Sequence, residues 1–333
     1  MQERFVRQIV LPQVGADGQR KLRAKRVLVA GCGALGTHTA EALLRAGVRN
    51  LVLVDRDVVE EHNLHRVSLF TPKDLGRPKA EALAEKLLAI DPAAEIEVRV
   101  AHLAGDLAEE LVPIVDLVAD GLDNLETRYV VNDACVKHEK PWVYTAVLAT
   151  YGMLMPIWPG RGPCLRCLFP NPPAPGSIPT CAEAGILGPV PQALAALQAA
   201  TAIRLLLEGP DAPLGTLVYL DLWALRAQTV EVKRNPTCPA CVGRDFLFLR
   251  ESSRAATLCG DTVQVLPRQK VTLDLGALAA RLSLLGRAEL RHGLLFAEIG
   301  GTALTVFPDG RALFKGIRDP NRAQALYDQY IAR

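Results

Sequence analysis

The chain has almost no net charge. Its 38 Lys and Arg stand against 36 Asp and Glu, which leaves +2 at neutral pH. That balance supplies no basic field for nucleic acid and no polybasic face for an acidic membrane. The N-terminal stretch MQERFVRQIVLPQVG lacks an apolar core of signal-peptide length, so no secretion signal is expected. One of the two longest runs without a charge, residues 184–203, is interrupted by Pro189, Pro191, Gln192 and Gln198. It reads as a loop and a buried helix rather than a membrane span, and a cytoplasmic protein is expected. Internal repeats and low-complexity tracts are also missing. The six histidines, at 38, 62, 65, 102, 138 and 292, are scattered, and each is expected to serve structure or surface.

Apolar residues make up 50% of the 333, enough for one large core and a second small domain. Strand and helix patterns alternate between residues 27 and 120. RVLVAG reads as a strand, LGTHTAEALLRAGV as a helix closed by glycine, and NLVLVD as a strand. GRPKAEALAEKLLAIDP is a helix with proline at its start, and EIEVRVAHL and VDLVADG are further strands. Alternation with short links predicts a parallel sheet wound with helices. Beyond Asp133 the pattern changes. PWVYTAVLATYGMLMPIWPG reads as antiparallel strands, 159–191 as an irregular crossover, ALAALQAATAIRLLLEG as an apolar helix, and GTLVYLDLWALRAQTVEV as strand again. The expected architecture is an α/β, Rossmann-like doubly wound sheet with an antiparallel extension and structural zinc knuckles over residues 1–245. A small α+β domain is expected over 246–333, with a helix near 274–286 and a Pro-Asp-Gly hairpin. It carries no nucleotide, metal or catalytic motif.

Gly31, Gly33 and Gly36 form G-x-G-x-x-G between a strand and a helix. Glycine permits the sharp turn and lets backbone N–H groups approach a phosphate, and the helix N-terminus behind it favours negative charge. Asp55 ends the next strand, where a carboxylate can accept from ribose hydroxyls. These features suit NAD as well as ATP. Arg66, in EEHNLHRVSLF, and Lys79, in GRPKAEAL, point to a triphosphate. A cation in the first turn of a helix is badly placed for the helix dipole and well placed for an anionic ligand; the plainer reading of Lys79 is a solvated surface lysine. Asp123 follows a strand end, where ligands of open α/β sheets gather, and a carboxylate there can hold Mg²⁺. Its plainer reading is a turn or helix-cap residue.

Eight cysteines are present, and four form two C-x-x-C pairs, Cys164 with Cys167 and Cys238 with Cys241. Without a secretion signal, this spacing favours a tetrahedral Zn²⁺ over the alternatives, a disulfide or a redox pair. Four thiolates leave no position for water, so the ion would be structural and would tie the crossover to the end of the domain. Cys32 and Cys135 lie in apolar settings and read as core residues. Cys259 also reads as structural.

The segments RFVRQIVLPQVG, GCGALG, DRDVVEEHNLHR, GRPKAEAL, DGLDNLETRYVVNDAC, GPCLRCLFP, PTCAEAGILGP and CPAC follow one another over residues 4–241. In that order they resemble the ThiF/MoeB/HesA family, bacterial relatives of the ubiquitin-activating enzymes. The resemblance implies an adenylyltransferase that activates the C-terminal Gly-Gly of a ubiquitin-like sulfur carrier of the ThiS or MoaD kind, with ATP and Mg²⁺. It implies that Gly31, Gly33 and Gly36 cradle phosphates, that Asp55 holds the ribose, and that Asp57 and Asn63 support the nucleotide. Arg66 and Lys79 would neutralise the triphosphate, and Asp123 would place Mg²⁺ at the α-phosphate. Arg7 would reach the site of the other subunit of a homodimer. Cys181, in the crossover, would attack the adenylate or link to sulfur on the carrier, unless a separate persulfide donor does so; its plainer reading is an inert loop cysteine. Val67 and Thr37-His38 depart from the family's common Gln and Ser-Pro at those positions. The pathway served, whether thiamin, molybdopterin, tRNA thiolation or another, does not follow from the sequence. The competing readings are a zinc-containing NAD-dependent oxidoreductase and a non-catalytic nucleotide-binding scaffold.

Overall fold

In a computed structural model of the chain, residues 3–173, 181–250, 255–257, 262–267, 269, 271–317 and 319–332 are described. Two compact units are present, residues 1–179 with 184–251, and residues 252–333 with 180–183.

The first unit is built on eight strands: β1 Arg26–Ala30, β2 Asn50–Asp55, β3 Glu95–Val100, β4 Leu117–Asp120, β5 Trp142–Leu148, β6 Tyr151–Ile157, β7 Thr216–Asp221 and β8 Arg226–Glu231. Their order is β3-β2-β1-β4-β5-β6-β7-β8. The first five run parallel and the last three antiparallel. Strands β1, β2 and β4 are apolar runs because helices cover both of their faces. On one face the helices Ala34–Arg45, Lys79–Ile90 and Pro189–Glu208 share a core that includes Ala40, Leu43, Leu83, Leu194 and Ala199. On the other, Gly105–Leu111 and Leu125–Lys137 close over Leu28, Val118, Val131 and Ala134. Each fully buried leucine in these layers stabilises by roughly 1.5–3 kcal/mol.

The Pro189–Glu208 helix is long and apolar enough by composition to cross a membrane. Its Val190, Leu194, Ala195, Ala199, Ala202 and Leu205 are instead buried in the sheet core, as the prolines and glutamines of the run led us to expect. Strand order places β2 on one side of β1 and β4 on the other. The crevice at the carboxyl ends of β1, β2 and β4 is therefore the topological switch point, where open α/β sheets bind ligands.

The second unit holds a six-stranded antiparallel sheet: β9 Ala255–Thr257, β10 Thr262–Val265, β11 Arg287–Arg291, β12 Leu294–Ile299, β13 Thr302–Val306 and β14 Ala312–Lys315, ordered β11-β12-β13-β14-β10-β9. Helices Leu275–Leu282 and Pro320–Tyr330 bury Leu278, Leu282, Ala323 and Tyr327 in its core. The expected helix near 274–286 is shorter, and the chain then forms β11. Its sequence, RAELR, shows no apolar run because it is a largely exposed strand at the sheet edge. At the β13–β14 turn Gly310 adopts φ +82°, and its carbonyl accepts from the Tyr327 hydroxyl at 2.7 Å.

Candidate nucleotide site and cysteine cluster

An open cleft of about 440 Å³ lies at the switch point. Gly31, Gly33, Asp55, Asp57, Lys79 and Asp123 all line it, although the sequence spreads them over more than ninety residues. The three glycines of the loop do different work. Gly31 has φ +94°, and a Cβ on it would lie 2.4 Å from the Gly121 carbonyl oxygen. Gly36 is buried in the helix, where a Cβ would meet the Gly31 carbonyl oxygen at 1.8 Å. At Gly33, the residue before the Ala34–Arg45 helix, a Cβ would meet nothing within 4 Å. Glycine at 31 and 36 thus lets the loop fold back on its own helix and on the β4 loop, while Gly33 fronts the cleft.

The acids follow from the ends of β2 and β4. Asp55 Oδ2 accepts the Cys32 N–H at 2.6 Å, and Oδ1 accepts the Asp57 N–H at 2.7 Å. Burial pushes the Asp55 carboxyl above its ordinary range, against the pull of Lys79. Lys79 is the first residue of its helix, with Pro78 at the cap. Its Nζ lies 3.2 Å from Asp57 Oδ2, and its side chain is only 12% exposed. Burial disfavours its charge, but Asp57, Asp55 and Asp123 outweigh that and hold the ammonium above the usual lysine range. The surface-lysine reading of Lys79 therefore fails. The helix-cap role considered for Asp123 belongs to its neighbour: Asn124 Oδ1 accepts the Thr127 N–H at 2.9 Å. The Asp123 carboxylate is 40% exposed, with the Arg56 guanidinium 3.5 Å away.

Three polar or charged site residues anticipated from sequence, Asn63, Arg66 and Arg7, are not among those lining the cleft. Asn63 is buried and caps its own turn, accepting the Glu60 N–H at 2.9 Å. Arg66 is outside the lining set, and its Nη1 donates to the His62 carbonyl at 2.5 Å. Arg7 is exposed on the short Val6–Ile9 helix. Cys181 begins the one-turn Cys181–Ala184 helix; its side chain and Cys259 lie outside the described residues. The two departures from the family pattern do specific work. The Thr37 hydroxyl donates to the Cys32 carbonyl at 2.9 Å, and a His38 ring nitrogen sits 3.2 Å from the Arg66 carbonyl oxygen. Val67 is buried in the core.

Sequence reasoning missed Arg56, His102 and Gly121. Arg56 lies in the cleft with Nη1 3.1 Å from His102 Nδ1. Position was the available signal: Arg56 directly follows Asp55, His102 follows the end of β3, and Gly121 follows β4. All three therefore stand at carboxyl ends of parallel strands.

In the same unit, Cys164, Cys167, Cys238 and Cys241 bring their sulfurs within 4.8 Å of one another. Neighbouring Sγ pairs are 3.5 Å apart between Cys164 and Cys238, 3.5 Å between Cys167 and Cys241, and 3.9 Å between Cys164 and Cys167. A disulfide needs about 2.05 Å. Four sulfurs about 2.3 Å from a central ion would stand about 3.8 Å apart in a tetrahedron. The geometry fits a metal and rejects the disulfide alternative. The first knuckle is anchored by Asn132, whose Oδ1 accepts the Leu165 N–H at 2.8 Å; in the second, the Cys238 carbonyl accepts the Gly243 N–H at 2.9 Å. Cys32 and Cys135 are fully buried in the core as expected, and burial pushes both thiols up.

Fold and cleft together define a nucleotide-binding α/β protein that also carries a cysteine cluster suited to a metal ion. A family model described as the ThiF family matches residues 5–240, and the chain belongs to that family. It is 36% identical over 339 residues to the sulfur carrier protein ThiS adenylyltransferase of Bacillus subtilis, which covers 99% of this chain and 100% of that protein. It is 42% identical over 245 residues to the sulfur carrier protein adenylyltransferase of Thermus thermophilus, covering 72% of this chain and 90% of that one. Among solved structures, Escherichia coli MccB with ATP matches with a TM-score of 0.62 at 23% identity, over 72% of this chain and 74% of that one. At that identity the likeness is one of fold.

Proposed function

We propose that the chain adenylates the C-terminal carboxylate of a ubiquitin-like sulfur-carrier protein ending in Gly-Gly, with ATP as the AMP donor. The observation that carries this reading is the meeting of Gly31, Gly33, Asp55, Lys79 and Asp123 in one cleft at the switch point, in a chain whose relatives are named adenylyltransferases of such carriers.

A carboxylate resists attack by sulfur because oxide leaves poorly. Its oxygen instead attacks the α-phosphorus of ATP. The new O–P bond forms as the bond to the β-phosphate oxygen breaks, and pyrophosphate departs. The attacking group is already ionised at neutral pH, so no general base is needed. Alignment and charge neutralisation do the work. The loop N–H groups and the Ala34–Arg45 helix terminus face the phosphates, Asp55 accepts from the ribose, and Lys79 offsets charge on the departing pyrophosphate. The cleft's own side chains set two cations, Arg56 and Lys79, against three carboxylates, Asp55, Asp57 and Asp123. A triphosphate added to that balance calls for further positive charge. Asp123 would hold a Mg²⁺ ion that supplies part of it, and Arg66 and an Arg7 reaching in from a second copy would supply the rest. Val6, Val10 and Leu11, which are 51%, 70% and 49% exposed beside Arg7, suit a subunit contact and support a homodimer.

In the following step a thiolate, from Cys181 or from a persulfide donor, attacks the acyl carbon. A C–S bond forms, the C–O bond to the phosphate breaks, and AMP leaves. Zn²⁺ fits the four cysteines, where it would tie the crossover to the segment after β8. Closed coordination of that kind leaves no open metal position for the hydride-transfer alternative. Among carriers, a ThiS-type protein of thiamin synthesis is favoured, because the match to the Bacillus relative runs the whole length of both chains.

Incubation with ATP, Mg²⁺ and a ThiS-type carrier should give a carrier heavier by one AMP in mass spectrometry. A carrier lacking its last glycine should stay unmodified. A MoaD-type carrier modified in preference would reassign the pathway, and no adduct on any carrier would refute the reading.

A further inference from the structure

Beneath the cleft lies a buried polar network that the reaction above does not use. Gln198, in the middle of the largely apolar Pro189–Glu208 helix, is fully buried. Its Nε2 faces three acceptors: the Asp120 carbonyl at 2.8 Å, the Thr145 hydroxyl at 2.8 Å and the Val143 carbonyl at 3.2 Å. Its Oε1 accepts the Thr39 hydroxyl at 2.5 Å. Thr39 belongs to the helix that leaves the glycine loop, and Asp120 ends β4 three residues before Asp123. One amide therefore bridges the two walls of the cleft.

A second buried group grips the same loop. Arg128 Nε donates to Asp120 Oδ2 at 2.8 Å, and its Nη2 donates to the Leu122 carbonyl at 2.6 Å and the Thr145 carbonyl at 3.0 Å. Asp120 Oδ1 accepts the Leu122 N–H at 2.9 Å. Both residues flanking Gly121 are thus fixed through polar contacts, and Gly121 itself abuts Gly31. Apolar side chains of the same volume would fill this space without the desolvation cost of a buried ion pair and a buried amide. A fully satisfied network offers defined position instead.

We infer that Gln198 is a positioning residue for the adenylation step: it holds the Asp120–Asp123 loop at a set distance from the glycine-loop helix, and so places the Asp123 carboxylate. The contact also couples the loop to the Pro189–Glu208 helix. The kinetic part of this inference rests on the adenylation reading; the structural part does not.

The test uses Gln198→Met and Thr39→Val in the full chain, with thermal stability, ATP Kd, carrier-dependent ATP–pyrophosphate exchange and amide hydrogen exchange as readouts. Displacement of a group by about 1 Å costs on the order of a hundredfold in rate. Gln198→Met should therefore lower kcat roughly ten- to a hundredfold while ATP Kd moves by less than about threefold, the split expected of contacts made in the transition state. Amides of residues 121–123 should exchange faster. Thr39→Val should shift kcat and amide exchange the same way by less. Lowered stability with kcat per folded molecule unchanged in both variants would overturn the inference. Should Gln198→Met fail to fold, Thr39→Val decides alone on the same criteria. Should wild type support no exchange with any carrier, the adenylation reading fails separately. Faster amide exchange at 121–123 in the variants would then still support the positioning role, and unchanged exchange would refute it.

Discussion

The nucleotide cleft and the cysteine cluster are assembled in the same way and end in opposite states. Each gathers side chains from distant parts of one sheet-centred unit. In the cleft the groups remain turned toward an open space: Lys79 balances acids that sit too close together, and the Asp123 carboxylate is 40% exposed. In the cluster the four sulfurs face one another at 3.5–3.9 Å. The contrast separates chemistry from architecture. Charges that face an open cleft are available to a ligand, whereas donors that converge on one point are occupied with holding the chain together.

This contrast can be broken most sharply at Asp123. Asp123→Asn keeps the size and hydrogen-bonding reach of a partly exposed side chain, so folding should be unaffected. Loss of a charge aimed at the transition state costs on the order of a hundredfold or more, and carrier-dependent pyrophosphate exchange should fall by at least that much. An unchanged rate would place the chemistry elsewhere.

At the cluster the dissociation should run the other way. Cys238→Ala removes a fully buried sulfur. Loss of a structural metal site belongs to the class of changes worth about 4 kcal/mol or more, which is roughly 10 °C in Tm for a unit of this size. Bound zinc, measured by atomic absorption, should drop out, while the surviving folded fraction keeps its ATP Kd. Retained zinc and an unchanged Tm would show that the cluster is not a metal site.

A smaller effect is expected at Arg56→Met, which removes the guanidinium 3.5 Å from Asp123 Oδ1. Exchange should fall about tenfold, less than at Asp123, because the cation acts through that carboxylate. A fall as large as that of Asp123→Asn would give Arg56 a direct contact with substrate.

The smallest effect is one of pH. Asp74 sits in the turn that leads to Lys79. Burial works against its charge, but the Thr71 N–H and hydroxyl together with Lys86 hold its carboxyl below the ordinary range. A depressed folded value gives stability that is present above the unfolded value, about 3.9, and is lost as pH falls through the folded one. Wild type should therefore exceed Asp74→Asn in denaturant midpoint at neutral pH, and the gap should close in acid. A gap that does not narrow as pH falls below about 3.9 would mean that the contribution of Asp74 is not electrostatic.

What sequence reading recovered divides along a physical line. The glycine loop, Asp55 and the two C-x-x-C pairs were readable because their geometry is local: turn, strand end and knuckle are each set by a few neighbouring residues. The parallel-then-antiparallel sheet was readable from where strand–helix alternation stops. Lys79 was half readable, since its place in the first turn was evident but its pairing with Asp57, twenty-two residues earlier, was not. Arg56 and His102 were missed because the sheet order of β2 and β3, not spacing, brings them together. The bridge from Gln198 to Asp120 spans 78 residues, and in sequence Gln198 was only an interruption in an apolar helix. Strand β11 was missed for the opposite reason, since an exposed edge strand needs no apolar pattern.

The most direct measurement is ATP–pyrophosphate exchange by the purified protein with ubiquitin-like carriers ending in Gly-Gly, each tested with and without its final glycine. Exchange that requires a carrier and its last glycine, and that disappears in Asp123→Asn, is the predicted result. Tight ATP binding with no exchange on any carrier would contradict the account, because the cleft would then hold a nucleotide without activating a carboxylate.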